Sequence, residues 1–166
     1  QVASLRQGLE EMKSLEAQYS HSLLEEQMEV LRIDASKNCE AFLTSYGNCM
    51  LSSVQYLDDG DILKLQILIK DGYAEFDFSG TSQSRGDNLN ATEAITLSAV
   101  CYCLRVLIGK ELPLNEGLLE PIRLIIPQGS ILSPDFSEKA HNCPGVAGGN
   151  VEISQKLVDL ILNAFQ

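Results

Sequence analysis

The chain has 166 residues, and its 12 Lys and Arg against 23 Asp and Glu give a formal charge of −11. With 45% apolar residues it is not a disordered chain, and its length fits one domain that buries roughly 70% of its unfolded surface. The negative charge excludes nucleic acid and anionic membranes as main partners, because both repel an acidic surface.

The elements follow in chain order. Leu5, Leu9, Met12, Leu15 and Tyr19 are spaced by three or four and predict a first helix with one apolar face. Ser20, His21 and Ser22 break that pattern. Ser22 with Glu25 reads as a capping box opening a second helix, whose stripe runs through Leu24, Met28, Leu31, Ala35, Cys39 and Phe42 to Tyr46. Residues 1–46 are thus expected as a helical segment, and residues 47–166 as an α+β segment within the same compact unit.

Strands are expected over residues 51–57, 62–70 and 73–78. The acidic turn Asp58-Asp59-Gly60-Asp61 separates the first two. Asp71-Gly72 separates the second and third, a dipeptide suited to a type I′ hairpin because both central residues need positive φ. A polar loop, residues 79–89, leads to Asn90 and Glu93, read as an N-cap pair for a helix over 91–108 that is apolar nearly all round. Residues 122–126 read as a strand and 131–136 as a short extended piece. Residues 151–165 read as a last helix with Asn150 as N-cap. The fold class is therefore α+β: two N-terminal helices, a mainly antiparallel sheet, a central buried helix and a C-terminal helix.

The longest apolar run, residues 94–108, is interrupted by Thr96, Ser98 and Arg105 and is too short to span a bilayer. The five cysteines form no C-x-x-C pair, and Cys101 and Cys103 sit within that run. Both features point to buried, reduced thiols and a cytoplasmic setting. The chain opens at Gln1 rather than Met, which leads us to expect an interior piece of something longer.

Candidate chemistry begins at Asp77, which ends a strand where a rigid element presents a side chain beside an adaptable loop. Asp77 has the chemistry of a base, a metal ligand or a hydrogen-bond anchor, and Ser79 or Thr81 that of an oxyanion donor. Gly80 and Asn90 complete this set of catalytic (Asp77, Thr81) and ligand-binding candidates. The plainer reading is that Asp77 holds the loop through backbone amides and Asn90 caps the helix. The glycines precede no G-K-[ST], so the loop is not a Walker A phosphate loop. Gly148, Gly149 and Asn150 at a helix start offer unhindered amides to an anion, although glycine pairs are common there for purely structural reasons. Asp58-Asp59-Gly60-Asp61 lacks the ligand spacing of an EF-hand loop and reads as a solvated turn. His141 near Cys143 reads as an ordinary loop histidine, with general-base chemistry as the sharper alternative. No zinc spacing occurs, so the metal remains unassigned.

Several blocks taken in order resemble the hydantoinase B family, which also includes the matching half of 5-oxoprolinase and subunits of acetone and acetophenone carboxylases. They are Phe76-Asp77-Phe78-Ser79-Gly80-Thr81-Ser82 with Gly86 and Asn90; Cys101-Tyr102-Cys103-Leu104-Arg105; Pro113, Asn115 and Gly117; Pro121-Ile122, Ile126-Pro127 and Gly129-Ser130; and Gly148-Gly149-Asn150-Val151-Glu152-Ile153-Ser154-Gln155. The segment His141-Asn142-Cys143-Pro144-Gly145 departs from the family pattern. The resemblance covers the whole chain but only an interior stretch of proteins several times longer. It implies ATP-dependent chemistry on cyclic amides such as hydantoin or 5-oxoproline, or on ketones. A hydantoinase A-type ATPase partner, holding ATP and Mg, phosphorylates a carbonyl or enol oxygen, and the B-type half hydrolyses or carboxylates the activated species. A hetero-oligomer is implied, and the resemblance assigns no cofactor to the segment itself, its metal dependence being open. The alternative function is a structural or interaction segment of such a complex.

Overall fold

The computed structural model describes residues 2–112, 114–136 and 143–166. Helix α1 spans Val2–Tyr19 and α2 spans His21–Tyr46. Strands β1 (Cys49–Tyr56), β2 (Ile62–Lys70) and β3 (Tyr73–Asp77) follow, then helix α3 (Glu93–Ile108), strand β4 (Ile122–Ile125) and helix α4 (Glu152–Ala164). The sheet order is β1-β2-β3-β4, antiparallel throughout except for the parallel β3–β4 pair. The class is α+β, as expected.

Alternation along the strands makes one face of this sheet apolar. Leu63, Leu65, Ile67 and Ile69 of β2 and Ala74 and Phe76 of β3 are buried there, facing the helices. Helix α4 packs on β1 and β2, α2 on β2 and β3, and α3 on α4 and α2. Phe165 joins three of these pieces, with ring centroids 5.7 Å from Phe42, 5.3 Å from Tyr46 and 6.2 Å from Phe76. Helix α3 is apolar nearly all round, as its sequence reads. It buries Thr96, Ala99, Val100, Cys103 and Leu104 and leaves Leu97, Tyr102 and Val106 exposed on the outer side.

Several local expectations change. The Ser22–Glu25 capping box does not form: α2 already begins at His21, and Ser20, at φ +69°, makes no side-chain cap bond. His21 instead lies 3.2 Å from both Glu16 and Glu25, bridging the break between the two helices. The apolar stripe of α1 is real but unpartnered, since α1 has no buried residue. Of the extended piece expected over 131–136, residues 131 and 132 instead form a turn closed by a Ser130–Ser133 bridge, and 134–136 follow without regular structure. The hairpin does form as read: Asp71 and Gly72 take φ +53° and +81°. Asn48 pins the turn, accepting the Asp71 N–H at 2.9 Å.

Among the described residues no disulfide joins the cysteines. Burial pushes the Cys39 and Cys103 thiols up to about 12, because a thiolate in the apolar core loses its hydration. At pH 8 the thiolate fraction is then on the order of 10⁻⁴. Cys39 and Cys103 are expected to resist a thiol reagent until denaturant is added. Site-resolved mass spectrometry after alkylation checks this.

Candidate active-site face

Asp77 ends β3 on the face of the sheet that no helix among the described residues covers, opposite Gln66 of β2. Its Oδ1 accepts the Ser79 N–H at 2.8 Å, an Asx turn that starts the loop and leaves the second carboxylate oxygen outside that bond. Gly80 follows with φ +89°, a backbone region suited to glycine. A Cβ there would also sit 3.1 Å from the Lys64 Cδ. The Lys64 side chain therefore lies across the loop, on the same open face as Asp77. Sequence reasoning passed over Lys64 as an ordinary strand residue. Only the β2–β3 register and the fold-back of the loop bring an ammonium beside Gly80.

Thr81 points the other way. It is buried, its Oγ1 accepts the Lys64 N–H at 3.1 Å, and it fastens the returning loop to the start of β2. Ser82 does the same one step on, its Oγ accepting the Ile62 N–H at 2.9 Å. Ser79 is exposed at the rim.

Asn90 is fully buried and caps nothing. Helix α3 starts later, with Thr92 at the N-cap position, and Glu93 accepts the Ser133 hydroxyl at 2.8 Å. Asn90 Oδ1 accepts the Arg85 N–H at 2.7 Å. Its amide nitrogen donates to the carbonyls of Arg85, Asp87 and Gly145, at 3.0, 3.2 and 2.9 Å. One side chain thus closes the 85–90 loop and ties it to the segment before α4.

Glycines make that docking possible. A Cβ at Gly145 would lie 2.9 Å from the Asn88 Cα, and one at Gly149 2.7 Å from the Ala91 Cα. The amides that the sequence offered to an anion are occupied: Gly148 donates to the Asn88 carbonyl at 2.8 Å and Gly149 to that of Val146 at 3.2 Å. Asn150 is no N-cap; it ends a short 3-10 turn, exposed, and Val151 takes that position. Asn90 and Gly148-Gly149 are brought together, whereas Asp77 stands apart on the sheet face. His141 lies outside the described residues.

Arg85 is the second residue that sequence reasoning missed, although a lone basic side chain among Asp58, Asp59, Asp61 and Asp87 was a visible signal. It pairs with Asp59, with Asp61 at 2.7 Å and with Asp87 at 2.9 Å, so the acidic turn is neutralised by a guanidinium rather than merely solvated. Hydrogen bonds from Arg85 hold the Asp59 and Asp87 carboxyls below the ordinary carboxylate range. Carboxylates with a lowered folded-state pKa stabilise fully above the unfolded value of about 3.9 and lose that contribution as pH falls through the folded value. Melting of the chain is expected to be insensitive to these pairs from pH 7 down to about pH 4 and to weaken below it. An Arg85→Gln variant should show a shallower acid limb, measured by thermal melts across pH. Among the described residues no cluster of His, Cys, Asp and Glu could hold a metal ion, and no helix is long and apolar enough to cross a membrane.

The match to known proteins spans the whole chain: residues 1–166 fit the family described as hydantoinase B/oxoprolinase. The chain belongs to the hydantoinase B/oxoprolinase family. It is 39% identical over 171 residues to a 5-oxoprolinase of Saccharomyces cerevisiae, covering 99% of this chain and 13% of that protein. It is 38% identical to 5-oxoprolinase 1 of Arabidopsis thaliana, covering 100% of this chain and 14% of that protein. The same fold is seen within the crystal structure of an ATP-dependent caprolactamase from Pseudomonas jessenii. That chain aligns with a TM-score of 0.85 at 18% identity, covering 99% of this chain and 28% of that one. This hydantoinase B-type chain therefore spans only a small part of the length of the relatives it matches.

Proposed function

We propose that this chain is an interior segment of a hydantoinase B-type subunit that hydrolyses cyclic amides of the hydantoin or 5-oxoproline kind in an ATP-dependent, cytoplasmic hetero-oligomer. The observation that carries the reading is the whole-chain match to the family, with 5-oxoprolinases among its relatives. In this reading a hydantoinase A-type partner with ATP and Mg phosphorylates the amide carbonyl oxygen. Phosphorylation converts a poor leaving oxygen into a good one, and the B-type segment receives the activated carbonyl. Asp77, whose Oδ1 alone is engaged by the loop, orients or deprotonates the attacking water, and the Lys64 ammonium beside Gly80 on the same sheet face stabilises developing negative charge. Ser79 and Gly80 line the rim beside them. Thr81, Asn90, Gly148 and Gly149 act as positioning residues, since their polar groups are committed within the fold. Asn150, exposed at the start of α4, remains available for a ligand.

The test is Asp77→Asn in the assembled ATP-using enzyme, scored by turnover of 5-oxoproline and hydantoin. A loss of about 10²-fold or more in kcat with an intact assembly is expected. Undiminished turnover in an intact assembly sinks the catalytic role. It would favour the reading of a structural segment, which the internally committed Thr81 and Asn90 side chains already support. Carboxylation of a ketone substrate by the same assembly would instead move the proposal to the ketone carboxylase branch of the family.

A further inference from the structure

The two edges of the sheet are built differently. Strand β4 has four residues, carries Arg123 and is bracketed by Pro121 and Pro127, and shortness, charge and proline all blunt an edge. Strand β1 runs for eight residues, CMLSSVQY, with no charge and no proline. Its register to β2 is unbroken from Cys49–Ile69 to Tyr56–Ile62, so no bulge protects it either.

The hydrogen-bond phase shows which groups face outward. The Leu57 N–H donates to the Asp61 carbonyl at 2.8 Å. Counting back in steps of two along the register, residues 55, 53 and 51 address β2. The amides and carbonyls of Met50, Ser52, Val54 and Tyr56 therefore point away from the sheet. The apolar layer also runs on past this edge. Leu63, Leu65 and Ile67 of β2 are 0% exposed, whereas Cys49 and Leu51 on the same face of β1 are only half-buried. On the opposite face Met50 and Tyr56 are 69% and 66% exposed.

We propose that β1 is an acceptor edge, completed by an extended strand from the remainder of a family-length polypeptide. The inference rests on the reading of this chain as an interior segment. The added strand carries apolar residues opposite Cys49 and Leu51, and uncharged or aromatic ones beside Met50, Val54 and Tyr56. The relatives place more than four-fifths of their residues outside the matched stretch, so donors are available within one polypeptide. Such a donor acts at roughly millimolar effective concentration. A second copy brings the same charge of −11 and is repelled.

Hydrogen exchange over residues 48–57, followed by mass spectrometry in the family-length polypeptide and in this chain alone, tests the proposal. Exchange at Met50, Ser52, Val54 and Tyr56 is expected to be at least about tenfold slower in the long polypeptide. Ser52→Pro removes an outward amide without breaking a β2 bond. It should leave the melting of this chain within a few degrees of the parent, yet restore fast exchange across β1 in the long polypeptide. Equal exchange rates in both proteins overturn the proposal. So does a dimer of this chain that Ser52→Pro abolishes, because a second copy is then the occupant. If the coding sequence around the segment holds no longer reading frame, the interior-segment reading itself fails. That is known before any exchange is measured, so the two failures stay distinct.

Discussion

Gly117→Ala is expected to destabilise the chain by about 3 kcal/mol, the upper end of the range for overpacking a rigid site. Gly117 lies in a 3-10 turn, Glu116–Leu119, pressed directly on the backbone of α2. A Cβ there would overlap the Arg32 carbonyl oxygen and sit 2.8 Å from the Arg32 carbonyl carbon and 2.9 Å from Asn115 Oδ1. The obstacle is helix backbone, which cannot rotate aside as a side chain can. Relief requires the turn to lift from α2. That in turn breaks the 3.1 Å bond from Asn115 Nδ2 to the Leu31 carbonyl and the Arg32–Glu120 pair. For a chain of this size the midpoint should fall by roughly 6–12 °C, measured by thermal melting. Gly8→Ala makes the opposite control: nothing lies within 4 Å of a Cβ in the interior of α1, so helicity should rise with no loss of core stability.

Asn90→Ala is expected to cost about 3 kcal/mol in denaturant unfolding, with the dependence on denaturant unchanged. Alanine cannot replace any of the four hydrogen bonds that Asn90 makes, and it leaves the Arg85 N–H and Gly145 carbonyl without their partner. Asn90→Asp separates packing from hydrogen bonding. It keeps the size and the acceptor for Arg85 but sets a carboxylate against three carbonyl oxygens, and should destabilise at least as much. If Asn90→Asp were as stable as the parent, the three donated bonds would carry no weight. Loss of Asn90 should also loosen the 85–90 loop from the 145–150 segment, seen as faster amide exchange at Gly145 and Gly148.

The elements themselves were largely legible because their signals are local. The period of three and four in α1 and α2, the alternation in β3 and the Asp71-Gly72 turn each follow from backbone geometry and side-chain sterics within a few residues. Caps were less legible. Ser22 and Asn90 have the chemistry of N-caps, but so does any short polar side chain that finds a better partner. Asn90 found three carbonyls, one of them 55 residues away at Gly145. The role of Gly148 and Gly149 was misjudged for a related reason. A glycine pair before a helix looks like an open anion site until the loop that packs on it is known.

By itself, the sequence determined the class of fold, the order of helices and strands, the acidic surface and the family, all of which are written in composition, periodicity and ordered motifs. Only the tertiary structure decided which polar side chains face solvent and which are consumed within the fold. It separated Asp77, half-buried on the uncovered sheet face, from Thr81 and Asn90, whose polar groups hold loops together. It also brought Lys64 to Gly80, Arg85 to three aspartates and Gly117 to α2. Apart from Arg85–Asp87, these contacts join residues well separated in the chain, and no local rule of spacing encodes which distant group will supply the partner.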